Sequence, residues 1–119
     1  MFGNTYAMNN LGYYYQFTEI NYELMKKYYL MAISKDNLIA MCNLAYYYRH
    51  KEKNYDLMKK YYLMAISKGD NIVMNDLVNY YKNNLFELYL LLNSIEDKNL
   101  IIIDKIENLK KTNKEIIYF

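Results

Sequence analysis

The sequence predicts an all-α fold, a short solenoid of stacked αα-hairpins that ends in a C-terminal capping helix. The first observation is a segment of 33 residues that recurs along the chain, a period typical of helical repeats whose units cannot bury their apolar faces alone. The second is the helical spacing of apolar residues within each unit. The third is the composition, since a chain with no proline and three glycines has few helix breakers. We expect a single α-solenoid domain over residues 1–119, enough chain for one core.

An internal duplication accounts for more than half of the chain. Residues 4–36 and 37–69 align without a gap and are identical at 23 of 33 positions. The identity includes an unbroken run, residues 24–35, which returns as residues 57–68. A third, degenerate unit is predicted over about residues 70–95, because four of its residues lie 33 positions after their counterparts: Met74, Leu77, Tyr80 and Tyr81. Residues 96–119 are predicted to form the cap and a tail.

Each unit is predicted to contain two helices. Helix A of the second unit is expected over about residues 38–48. Its apolar face is Ala40, Leu44, Tyr47 and Tyr48. Helix B is expected over about residues 55–67. Its apolar face is Tyr55, Met58, Tyr62, Ala65 and Ile66. The short link between them, residues 49–53, favours an antiparallel hairpin.

Polar residues that cap helices mark the unit boundaries. Asp36 or Asn37 is placed to cap helix A of the second unit, and Asn54 is placed to cap helix B. Residues 69–71 can cap the third helix A, and Gly69 can also end the preceding helix in a left-handed conformation.

The C-terminal third is predicted to close the stack of helices. Residues 85–92 form a strongly apolar helix that another element must cover. The expected cover is a helix over about residues 99–112. Its inward residues are predicted to be Leu100, Ile102, Ile103, Ile106 and Leu109. The apolar tail, residues 115–119, is expected either to dock on this cap or to contact another molecule.

The spacing of small and aromatic residues resembles the Sel1-like repeat. The pattern is Ala7-x3-Leu11-Gly12-x2-Tyr15, followed by Tyr28-Tyr29-x2-Ala32-Ile33. It recurs as Ala40, Leu44, Ala45 and Tyr48, then Tyr61, Tyr62, Ala65 and Ile66. The resemblance covers about residues 4–82. Three features depart from the family: the glycine-rich inter-helix loop is missing, Ala45 replaces the glycine, and the period is three residues shorter. A tetratricopeptide-like unit fits nearly as well.

Both resemblances imply a right-handed superhelix that serves as a non-enzymatic scaffold for a protein or peptide partner. In such repeats helix A lines the concave surface. We define the helix-A stripe as the face of this helix that is not used for packing. It comprises Tyr6, Asn9, Tyr13 and Gln16 in the first unit, Ile39, Cys42, Tyr46 and Arg49 in the second, and Ile72, Asn75, Asn79 and Lys82 in the third. Aromatic, amide and cationic side chains of this kind suit recognition surfaces.

Three alternatives to peptide binding at the stripe stay open. The stripe tyrosines can pack against the neighbouring unit, as the other tyrosines do. Interleaved tyrosines and lysines can bind single-stranded RNA, with Lys26, Lys27, Lys59 and Lys60 stacked as a basic ridge. An exposed N-terminal edge, at Ala7 and Leu11, or the C-terminal tail can support homodimers or self-assembly.

Other features argue against chemistry and against a membrane. The net charge of +2 does not indicate nucleic acid or an anionic surface as a partner. Cys42 is the single cysteine, and His50, the single histidine, is expected in the polar inter-helix link. They leave no metal site, cofactor site or catalytic constellation to predict. The longest apolar stretch, residues 85–95, is about half a bilayer span. We expect an intracellular, cytoplasmic protein, or a viral protein acting in a host cell, since tyrosine- and asparagine-rich arrays resemble viral and amoebal repeat proteins.

Overall fold

A computed structural model describes residues 4–112, and this part of the chain is all-helical, as the sequence predicts. The seven helices are α1 (Thr5–Phe17), α2 (Tyr22–Ile33), α3 (Leu38–His50), α4 (Tyr55–Ser67), α5 (Ile72–Tyr80), α6 (Leu85–Asn93) and α7 (Leu100–Thr112). The chain divides into two compact units, Met1–Ala65 and Ile66–Phe119. None of the helices within residues 4–112 combines the length and apolar character needed to cross a bilayer.

The helices begin after polar capping residues of the predicted kind. The residue that caps helix A recurs every 33 positions along the chain. The side-chain oxygen of Asn4 accepts hydrogen bonds from the backbone N–H groups of residues 6 and 7. Asn37 accepts from Ala40 N–H, and Asp70 accepts from those of residues 72 and 73. In the position just before these caps, Asp36 and Gly69 both adopt a positive φ, 61° and 100°. Gly69 therefore ends α4 in the left-handed conformation, as predicted.

The turns from α1 to α2 and from α3 to α4 have the same backbone hydrogen bonds. Tyr14 C=O accepts from the N–H groups of residues 18 and 19, and Tyr47 C=O accepts from those of residues 51 and 52. Asn21 and Asn54 then cap the second helix of each pair. The link after α3 is residues 51–54 rather than the predicted 49–53, because α3 extends two residues beyond its predicted end.

The core of the compact unit Met1–Ala65 lies between consecutive helices. Helix α1 packs along α2, α2 packs along α3, and α1 also touches α3. The fully buried residues of this unit are Met25, Tyr29, Ala32, Ala40, Met41, Leu44, Ala45, Met58, Tyr62 and Ala65. The ring of Tyr15 stacks on that of Tyr28 at 5.8 Å, and Tyr48 stacks on Tyr61 at 6.0 Å, in both cases with a 10° interplanar angle. The duplicated sequence thus repeats its packing.

In the third, degenerate repeat, α6 buries the same positions as helix B of the earlier repeats, although the segment of chain before its cap is shorter. Asn84 caps α6 and lies only three residues after Tyr81, whereas Asn54 lies six residues after Tyr48. Counted from its cap, α6 buries Leu88 and Leu92, the counterparts of Met58 and Tyr62. The segment from this tyrosine to the cap of helix B is therefore three residues shorter in this repeat.

Helix α7 buries one of its two apolar stripes. Ile102, Ile106 and Leu109 are buried, as predicted, and α7 packs on α6. Leu100 and Ile103 were also expected to face inward, and this is wrong, since Leu100 is 82% exposed and Ile103 is exposed as well. Asn99 fixes the start of α7, because it caps Ile102 N–H and donates to the carbonyl of Ile66 at 2.7 Å. The predicted tail, residues 115–119, lies outside the described residues.

Candidate functional site

Three tyrosines of the helix-A stripe are exposed in the compact unit Met1–Ala65, as a binding surface requires. Tyr6 lies near the start of α1, and with Ile39 it borders a depression of about 330 Å³ around residues 35–38. Tyr13 and Tyr46 lie in the later turns of α1 and α3. Cys42 is half-buried between these two groups.

Two other stripe residues are buried, and their side-chain oxygens accept hydrogen bonds inside the core. Asn9 is buried, and its side-chain oxygen accepts a 3.2 Å hydrogen bond from Asn43 of α3. Gln16 is also buried, and its oxygen accepts a 2.6 Å hydrogen bond from the Tyr29 hydroxyl of α2. The prediction of Asn9 and Gln16 as binding residues is therefore corrected. The Asn9 amide is satisfied by the Asn43 amide and the Gln16 amide by a buried phenol, as polar groups inside a helical core must be.

A recess of about 280 Å³ opens where the C-terminal ends of α1 and α3 meet the start of α2. We call it the aromatic recess. It is lined by Gln16, Phe17, Ile20, Tyr22, Tyr46, Tyr47, His50 and Lys51. Its rim exposes large apolar surface, because Phe17 is 51%, Ile20 is 62% and Tyr46 is 47% accessible to solvent. Grouped exposed apolar residues of this kind mark interaction sites more often than single ones do.

Two pairs of rings, four residues apart, lie at the walls of the recess, and Phe17, Tyr46 and His50 among them line it. On α1 the rings of Tyr13 and Phe17 lie 4.7 Å apart, and on α3 those of Tyr46 and His50 lie 4.3 Å apart. Residues four positions apart share one helix face, so each pair projects from one side of its helix. Each ring restricts its neighbour, and an anchor that is already ordered loses little entropy on binding.

The rings of Tyr22 and Tyr47 form the floor of the recess, and a lysine ammonium lies over each ring. The rings of Tyr22 and Tyr47 lie 5.0 Å apart. The Lys51 ammonium lies 5.8 Å from the centre of the Tyr22 ring, and the Lys26 ammonium lies 5.4 Å from that of Tyr47. Lys26 also forms a salt bridge of 3.4 Å with Glu52. Burial raises the pKa of Tyr47, and the Glu52 carboxylate and the Tyr22 phenol raise it further, so the Tyr47 phenol remains neutral at physiological pH.

Several recess residues were missed by the sequence analysis. Phe17, Ile20 and Tyr22 lie at or beyond helix ends, where a stripe drawn along one helix does not reach. His50 was expected in the inter-helix link, but it is the last residue of α3 and its ring contacts Tyr46. The signal available in the sequence was the cluster of large apolar residues around the first link, residues 17–22.

The basic ridge predicted from Lys26, Lys27, Lys59 and Lys60 consists of engaged side chains. Lys27 lies over the Tyr28 ring at 5.6 Å, and Lys60 lies over the Tyr61 ring at 5.3 Å. Lys26 lies over Tyr47 and Tyr48 and pairs with Glu52. Lys26 and Lys60 cover the flanks of buried tyrosines and Lys27 covers the half-buried Tyr28, and this packing gives these three lysines a structural role.

The stripe residues of the third repeat, which belong to the compact unit Ile66–Phe119, lie in a more polar setting. Ile72 is 80% exposed at the start of α5, and Asn75 and Asn79 are exposed further along it. Asn75 borders a depression of about 370 Å³ between α5 and α7. Its other lining residues are Asn71, Met74, Leu100, Ile101, Asp104, Lys105 and Asn108. Asp104 and Lys105, the two charged residues of this lining, carry opposite charges.

Comparisons with known proteins do not assign a family or a function to this surface. Within residues 4–112, no three metal-ligating side chains of histidine, cysteine, aspartate or glutamate come together. No protein-family model matches the chain, and no match is found among curated proteins or among solved structures.

Proposed function

We propose that this chain is a non-enzymatic interaction module, an adaptor that binds a peptide or protein segment through the exposed part of the helix-A stripe. In this proposal the helix pairs form a short right-handed solenoid of the Sel1-like or tetratricopeptide-like kind. The aromatic recess is the anchoring point of the binding surface. Tyr13 and Tyr46 flank it, and Tyr6 and Ile39 extend the surface toward the other end of α1 and α3.

The observation that carries the proposal is the exposure of Phe17, Ile20 and Tyr46 around one concave recess. Burying an apolar side chain of this size is worth about 1.5–3 kcal/mol, so a partner that covers the rim gains substantially. Aromatic residues in a pocket are the usual energetic centre of a protein interface. A recess of about 280 Å³ suits one bulky side chain of a bound segment.

The experiment compares the proteins that the full chain and its variants recover from cells. Phe17→Ala combined with Tyr46→Ala removes two walls of the recess. Leu30→Ala combined with Leu100→Ala removes exposed apolar area outside the stripe and the recess and is the matched control. We expect partners that the wild-type chain and the control retain and that the recess variant loses, at equal helicity by circular dichroism.

Other outcomes would overturn the proposal in favour of a different function. Recovery of the same proteins by the recess variant would show that the recess is not the binding site. Loss of recovery after ribonuclease treatment, with binding to mixed RNA oligonucleotides that falls steeply with salt, would indicate single-stranded RNA as the ligand. Sedimentation showing a dimer that the recess variant dissociates would indicate a self-assembling module.

A further inference from the structure

We infer that the aromatic recess selects segments in which a bulky apolar side chain lies next to a carboxylate. This inference rests on the proposed function and specifies the chemistry of its ligand. The apolar side chain enters the recess between Phe17 and Tyr46. The carboxylate lies at the rim, beside the Lys51 ammonium.

The charges around the recess are arranged asymmetrically. Its lining contains Lys51 and no carboxylate. Two glutamates are close in sequence, and both carboxylates are engaged elsewhere. Glu19 accepts a 2.9 Å hydrogen bond from the Tyr14 hydroxyl, and Glu52 forms its salt bridge with Lys26. The positive charge of Lys51 is therefore the uncompensated charge of the lining.

Lys51 is held at this rim by its backbone and its side chain. It is the C-cap residue of α3, and its N–H donates to the carbonyl of Tyr47. Its ammonium lies over the Tyr22 ring, and no carboxylate within residues 4–112 forms a salt bridge with it. A lysine that stacks on a ring keeps its donors available to an anion. The position favours a ligand anion over a ligand cation.

The recess and the lysine contribute different amounts to affinity. An exposed ion pair contributes little, which corresponds to about two- to five-fold in affinity. Removing the apolar anchor costs about ten-fold or more, since a buried Phe side chain contributes through its area. The apolar side chain therefore supplies most of the binding, and Lys51 supplies the discrimination between acidic and basic segments.

The test uses four synthetic fluorescein-labelled peptides and the full chain, with affinity measured by fluorescence anisotropy at low salt. The parent peptide is Gly-Ser-Phe-Glu-Glu-Ser-Gly with blocked ends. The other three replace both Glu by Gln, both Glu by Lys, or Phe by Ala. The variants are Lys51→Ala, Phe17→Ala, and Lys60→Ala as the matched control, because Lys60 also stacks on a tyrosine ring but lies outside the recess lining.

We expect the Glu peptide to bind about two- to five-fold more tightly than the Gln peptide, and the Lys peptide to bind most weakly. Lys51→Ala should abolish this order, whereas Lys60→Ala should preserve it. Equal affinity for the three charge forms, with binding lost in Phe17→Ala, would overturn the inference and leave the proposed function standing. A charge preference that survives in Lys51→Ala would also overturn it. Absence of binding to every peptide would count against both.

Discussion

The hydroxyl of Tyr29 donates a 2.6 Å hydrogen bond to the side-chain oxygen of Gln16. The bond joins α2 to α1, and both side chains are buried. The Tyr29 ring lies directly against Gly12, one turn before Gln16 on α1. A Cβ placed on Gly12 would lie 2.4 Å from a carbon of that ring. The packing of α1 against α2 therefore depends on the absence of a side chain at Gly12 and on the buried hydrogen bond between Tyr29 and Gln16.

Gly12→Ala should destabilise the protein, although the same change in an exposed helix stabilises it. The gain in helix propensity is at most about 1 kcal/mol. Forcing a methyl group into a packed contact costs about 1–3 kcal/mol, because the Tyr29 ring or the helix must shift. We expect a lower free energy of unfolding in urea and a melting temperature lower by several degrees. If Gly12→Ala were more stable than the wild type, α1 and α2 would be able to move apart around the added methyl group at little cost in free energy.

Tyr29→Phe should cost about 1–3 kcal/mol, because it leaves the buried Gln16 oxygen without its donor. The double variant Tyr29→Phe with Gln16→Leu removes both polar groups and should recover part of that loss. Urea unfolding of the wild type, both single variants and the double variant measures the coupling. Strictly additive effects would contradict a direct interaction between these side chains.

Asp70→Ala should destabilise the chain by about 1 kcal/mol, and Asn71→Ala should have little effect. The Asp70 carboxylate accepts two backbone N–H groups at the start of α5, whereas the Asn71 side chain makes no capping hydrogen bond. Asn71→Ala is therefore the matched control for Asp70→Ala. Thermal unfolding followed by circular dichroism distinguishes them, and a larger loss for Asn71→Ala would assign the cap to the wrong residue.

Alkaline pH should destabilise the protein through its buried tyrosines. Burial raises the pKa of Tyr48 to about 12, and Glu52, Tyr61 and Tyr47 add to the effect. An unfolded tyrosine titrates near pH 10. The contribution of Tyr48 to stability is therefore complete below about pH 10 and is lost as the pH rises from about 10 to about 12.

The measurement is a pair of phenolate titrations by ultraviolet absorbance, one of the native protein and one in urea. In urea the tyrosines should titrate together near pH 10, and in the native protein a fraction should titrate later. Tyr48→Phe should reduce that late fraction and weaken the alkaline loss of stability. Identical native and unfolded titrations would rule out the buried phenols described for this core.

Local chemistry is what made the helices predictable. Asn37 and Asn54 precede apolar residues at helical spacing, and both were found as caps. The bounds of α4 match the prediction, since capping and period are properties of neighbouring residues. The 33-residue period then transfers each assignment to the next unit.

The choice between faces of one helix was not predictable in the same way. On α7 two stripes satisfy helical spacing, and only contact with α6 decides that Ile102 is buried while Leu100 and Ile103 are exposed. Asn9 and Gln16 were assigned to the exposed face because their helical spacing places them off the apolar packing face of helix A. They are buried because Asn43 and Tyr29 lie opposite them on neighbouring helices. The aromatic recess escaped prediction because three helices contribute to it.

The identical run shared by α2 and α4 creates a competition during folding. Either copy presents the same residues to a helix A, so α1 or α3 can collide with the wrong partner, a known failure of repeat proteins. The links at residues 18–21 and 51–54 favour the correct pairs, because closing a short loop costs the least entropy. Gly12 and Ala45 cannot separate the two pairings, because both copies of the run present a tyrosine at this position, Tyr29 in α2 and Tyr62 in α4. Lengthening the link at residues 18–21 should therefore slow refolding by allowing mispaired helices to accumulate.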